Sequence, residues 1–64
     1  MYKVLIVEDD PMVAMINEQY VLKHGKFKVV GKCQDGEKAI EFLAKNEADL
    51  VVMDVSVSYT HLTL

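Results

Sequence analysis

Apolar residues fall along this chain in three short runs, separated by two longer stretches where they recur every three or four positions. Val4 to Val7 is a β-branched, uniformly apolar run of the kind that forms a strand buried on both faces. It ends at Glu8, Asp9 and Asp10, and Pro11 follows, which suits the first turn of a helix with Asp10 as its N-cap. Val13, Ile16, Tyr20 and Val21 then recur at helical spacing, flanked by Met12 and Ala14, and predict a helix to about His24 with Gly25 as its stop. Phe27 to Cys33 reads as a second strand, less uniformly apolar and therefore nearer a sheet edge. Gln34, Asp35 and Gly36 form a turn with a capping residue, and Glu37 to Lys45 is an amphipathic helix carrying Ala39, Ile40, Leu43 and Ala44. Asn46 to Ala48 is a loop, and Leu50 to Met53 is a third buried strand that stops at Asp54. The order β-α-β-α-β predicts an α/β fold with parallel strands joined by right-handed crossovers.

Composition narrows what such a fold can do. Sixty-four residues make one domain at most, and a chain this short buries only about 60% of its unfolded surface. Ten acidic and seven basic residues leave a net charge of −3, without the clustered cations of a nucleic-acid surface. The single cysteine, Cys33, excludes an internal disulfide and fits a reducing, cytoplasmic setting. The apolar start meets Glu8 too early to be a signal peptide or a membrane span. His24, Cys33 and His61 lack zinc-ligand spacing. Met12 and Met15 are expected to pack, and Lys23, Lys26, Lys28 and Lys32 to line a solvated edge.

The chemistry is carried by carboxylates at strand ends. With the first and third strands adjacent and the second outside the first, Glu8-Asp9 and Asp54 all fall at the C-terminal ends of neighbouring strands. Open α/β sheets bind ligands in the crevice at that end. Carboxylates gathered there repel one another, and a hard divalent cation such as Mg²⁺, which takes a few carboxylate oxygens plus water, relieves the repulsion. A carboxylate beside Mg²⁺ can attack a phosphoryl group, which makes Asp54 a candidate nucleophile. Against this stands the plain alternative that acidic residues at strand ends simply cap the next helix, as Asp10 before Pro11 does. An acidic pair after strand one joined to a lone Asp after strand three is what favours the chemical alternative.

The three stretches VLIVEDDP, CQDGEKAIEFL and ADLVVMDV resemble the first half of a bacterial response-regulator receiver domain, over residues 3 to 55. The resemblance implies a flavodoxin-like parallel sheet, here truncated to β-α-β-α-β with strand order 2-1-3. It implies that Asp9 ligates Mg²⁺ directly, that Glu8 acts through water, and that Asp54 is the phosphoacceptor and a further metal ligand. Ser56 stands where the family supplies a backbone carbonyl to the metal. The implied partners are a sensor histidine kinase and, through an output domain absent from this chain, DNA; no membrane partner is implied, and the protein is expected not to be an enzyme. EDDPMVAMINEQY and the long connection after the first helix look most like regulators of the citrate and C4-dicarboxylate sensing group.

After Asp54 the pattern departs from that family. Val55-Ser56-Val57-Ser58-Tyr59 replaces the expected loop with Met-Pro and Gly, and the later strands, the switch hydroxyl and the phosphoryl-pairing Lys have no counterpart. All the Asp, Glu, Lys and Arg residues lie in the first 54 positions. VSYTHLTL resembles read-through of a sequencing adapter, so residues 1–55 are expected to be the receiver half and 56–64 a non-native tail. A haloacid-dehalogenase-like phosphatase is the alternative with Asp54 as nucleophile, but that class needs a second Asp where Ser56 stands. The 64-residue chain by itself is expected to be inactive and to self-associate through the open edge of its third strand.

Overall fold

The computed structural model describes residues 1–53, which fold as β1 (Tyr2–Val7), α1 (Pro11–Lys23), β2 (Phe27–Cys33), α2 (Gly36–Lys45) and β3 (Leu50–Met53). The three strands form one parallel sheet in the order β2-β1-β3, as the pattern predicts. β1 is therefore central, and Val4, Leu5, Ile6 and Val7 are fully buried. A strand covered on both faces must be apolar at every position, which is why this run shows no alternation.

Alternate side chains of β1 feed two separate cores. Leu5 and Val7 pack with Ala39 of α2, joined by Phe42, Cys33, Ala48 and Met53. Val4 and Ile6 pack with Ala14 of α1, joined by Val21, Phe27, Val29 and Val52. Each helix thus covers one face of the sheet.

The helix ends carry the expected caps. The Asp10 carboxylate accepts the Met12 N–H at 2.9 Å, satisfying a donor that the first turn leaves unpaired. Asp35 does the same for the Lys38 N–H at 2.9 Å. Gly25 has φ +70°, the left-handed conformation that ends α1 at low steric cost. Asp49 registers β3 against β1: its N–H donates to the Lys3 carbonyl at 2.7 Å and its carboxylate accepts the Lys3 N–H at 2.8 Å.

Several expectations need correction: Met12 and Met15 are exposed instead of packed, the expected buried third strand is covered only at Val52 and Met53, and the faces of both helices differ. Among Val13, Ile16, Tyr20 and Val21, only Val13 and Val21 are partly covered, while Ile16 and Tyr20 are exposed and Ala14 is the buried position. On α2 it is Ala39 with Phe42 that meets the sheet, while Ile40 and Leu43 face outward. Close approach of helix to sheet selects the small side chains. Gly31 makes the same point on β2, where a Cβ would lie 2.7 Å from the Phe42 ring and 3.2 Å from Leu5.

Candidate functional site

The site is built at the C-terminal end of β1. Val7 is the last buried residue of the strand, and Glu8, although a carboxylate, is only 4% exposed. Its N–H donates to the Cys33 carbonyl at 2.8 Å, which extends the β1–β2 pairing by one residue beyond the sheet. Its Oε2 accepts the Asp10 N–H at 3.0 Å, so Glu8 also shapes the turn into α1. A buried carboxylate at a strand end is costly unless something charged or polar meets it, which sets Glu8 apart from a solvated capping residue. Asp9 next to it is exposed. Glu8 and Asp9 therefore sit one inside and one outside at the mouth of the crevice.

β3 ends in register with β1. Val7 pairs with Met53, the residues just before Glu8 and Asp54 respectively. Asp54 and Ser56, the other two predicted site residues, lie outside the described residues. Glu8 and Asp9 offer only carboxylate oxygens, a donor type that suits a hard cation such as Mg²⁺. Among the described residues no group of three or more His, Cys, Asp or Glu side chains could hold a metal ion, so Glu8 and Asp9 would need a further donor to do so.

A cavity opens beside the acidic pair, between the ends of β1 and β2 and the first turn of α1. Glu8, Asp9, Ala14, Lys32 and Cys33 are among its lining residues. Burial pushes the Cys33 thiol up from its usual value, with the negative charges of Asp35 and Glu41 adding to the rise and Lys38 opposing it. That thiol is held protonated at neutral pH and is a poor nucleophile. Lys32 is the exposed edge-strand cation expected from sequence, and its ammonium also lies 2.9 Å from Glu18 Oε1 on α1. No periodicity signals this pair, because its partners are fourteen residues apart on different elements.

A parallel β2-β1-β3 sheet with an acidic pair at the end of its central strand defines a receiver-like α/β module, and the comparisons agree. The response regulator receiver domain family matches residues 4–61, and the chain belongs to that family. The chain is similar to the transcriptional regulatory protein CitT of Halalkalibacterium halodurans, 44% identical over 59 residues, which cover 89% of this chain and 26% of that protein. It is 33% identical over 54 residues to the probable C4-dicarboxylate response regulator DctR of Bacillus subtilis, covering 84% of this chain and 24% of the relative. It is also 37% identical over 57 residues to a protein-glutamate methylesterase/protein-glutamine glutaminase of Syntrophus aciditrophicus, covering 89% of this chain and 16% of the relative. The likeness to CitT and DctR agrees with the citrate and C4-dicarboxylate group expected from EDDPMVAMINEQY. The chain spans about a quarter of the length of those two regulators. No solved structure matches it. The family match leaves the dehalogenase-like phosphatase alternative without support. No helix among the described residues is long and apolar enough to cross a membrane.

Proposed function

We propose that this chain carries the phosphoacceptor chemistry of a two-component receiver, with Asp54 as the acceptor and Glu8 and Asp9 as metal-binding residues. The observation that carries the proposal is a buried glutamate, Glu8, next to an exposed Asp9 at the end of the central strand, with β3 ending alongside. Asp9 would ligate Mg²⁺ directly and Glu8 through water, with Asp54 and the Ser56 backbone carbonyl completing the set. Bound Mg²⁺ would neutralise charge on the phosphoryl oxygens during transfer. An Asp54 carboxylate oxygen attacks the phosphorus of a phosphohistidine on a sensor histidine kinase. The P–N bond breaks as the new P–O bond forms, and the imidazole nitrogen leaves with the bonding electron pair and takes up a proton. In this proposal residues 1–55, with the Ser56 carbonyl beside them, hold the receiver chemistry, the chain itself catalyses no turnover, and a DNA-binding output domain in a longer protein reads the result. The name of CitT, a transcriptional regulatory protein, supports that last step.

Acetyl phosphate with Mg²⁺ tests the acceptor. Intact-mass analysis of a version continued with a full receiver sequence is expected to show one added phosphoryl group, absent in Asp54→Asn. A group that persists in that variant would place the acceptor elsewhere. A magnesium titration followed by thermal melting tests the metal site separately, and Asp9→Asn is expected to reduce the stabilisation.

A further inference from the structure

The crevice beside the acidic pair is also lined by a lysine. Lys32 lines the same cavity as Glu8 and Asp9, and on β2 it pairs in register with Ile6, two residues before Glu8. Its ammonium is anchored at 2.9 Å by Glu18, which lies one helical turn beyond Ala14, itself part of the cavity wall. The Lys32 side chain is 49% exposed and that of Glu18 28% exposed. An exposed pair of this kind is weak, and the Glu18 carboxylate offsets part of the Lys32 charge felt in the crevice. Among the described residues no other cation lines that cavity.

We propose that Lys32 is a built-in counter-cation of the acidic crevice, anchored by Glu18, and that it lowers the affinity of Glu8 and Asp9 for a divalent cation. The inference rests on the metal-binding assignment above and deepens it, because it names a residue that tunes the affinity of that site. Two positive charges sharing one crevice repel, and within about one Debye length a unit charge alters the affinity for a dication by about three- to tenfold at low ionic strength. Lys32 would thereby keep the site weak and its metal exchangeable. It is a positioning charge, since nothing places it on the metal itself.

The test is a MgCl₂ titration of the full chain in low salt, followed through the amide NMR shifts of Asp9 and Asp10. Lys32→Met is expected to tighten Mg²⁺ binding by about three- to tenfold. Lys28→Met removes the same charge from the far end of β2, where Lys28 pairs in register with Lys3, and is expected to change the affinity less than twofold. Lys32→Gln is a second variant in case the methionine disturbs folding, with far-UV circular dichroism as the check on both. Glu18→Gln is expected to weaken binding in the parent chain and to have less effect when Lys32 is already Met. Equal affinities in Lys32→Met and Lys28→Met, or weaker binding in Lys32→Met, would overturn the inference. Absence of saturable shifts in the parent chain would overturn the metal assignment and the inference together.

Discussion

The two flanks of β1 differ in how completely they are finished. On the β2 side, α1 and α2 lie over the sheet, and Ala14, Ala39 and Phe42 close on Val4 to Val7 from both faces. On the β3 side, Leu50 is 47% and Val51 38% exposed, and the exposed Tyr20 of α1 lines a pocket with Leu50. Among the described residues β3 pairs with β1 alone, so within that part its outer edge has no strand partner beside its apolar side chains. The acidic pair sits at the end of the strand that divides these flanks. One side of the site is thus buttressed by packed structure, and the other depends on whatever follows β3.

The largest effect should come from paired truncations that set one flank against the other. Leu5→Ala removes a fully buried side chain and is expected to cost about 2–5 kcal/mol, enough to unfold a domain this small. Leu50→Ala, at a half-exposed position, should cost under about 1 kcal/mol by urea titration. Comparable costs would break the contrast between the flanks. Gly31→Ala should come next, at about 1–3 kcal/mol, since its Cβ meets the Phe42 ring at 2.7 Å. Phe42→Leu should recover part of that loss in the double variant, whereas additive losses would show that the ring is not the obstacle.

The open flank should show itself in association more than in stability. Val51→Lys places a charge on the edge strand and is expected to shift size-exclusion elution toward the monomer, with stability changed by less than about 0.5 kcal/mol. A parent chain that already elutes as a monomer would sharpen the contrast differently, by showing that the edge is covered. The smallest effect belongs to Cys33 on the closed flank. Its raised pKa means that the unfolded chain loses the thiol proton first as pH climbs. Any stability it contributes is fully present below its ordinary value of 9.0 and is lost as pH rises through the folded value. Cys33→Ser should flatten that part of the stability profile, and iodoacetamide should label Cys33 slowly at neutral pH until the chain is unfolded.

Much of this architecture was legible in advance because it rests on local chemistry. Asp10 before Pro11, Asp35 before an amphipathic stretch and Gly25 after Lys23 mark element ends through backbone donors and a positive φ, and those signals act within a few residues. Glu8 and Asp9 stood out because carboxylates directly follow a run that must be buried. The helix faces were harder. α1 carries Met12, Val13, Ala14, Met15, Ile16, Tyr20, Val21 and Leu22 around most of its circumference, so periodicity alone does not choose which side meets the sheet.

What the sequence determined by itself, then, was the order and type of the elements, their caps, the central place of β1 and the acidic end of that strand. Each follows from short-range pattern and from the cost of burying polar groups. The tertiary structure alone decided that Ala14 and Ala39 pack inward while Ile16 and Ile40 do not, and that Gly31 yields its space to Phe42. It also decided that Lys32 and Glu18 meet at the rim of the acidic crevice. Those outcomes depend on how closely two elements approach across the chain, and separation in space is not encoded in any local period.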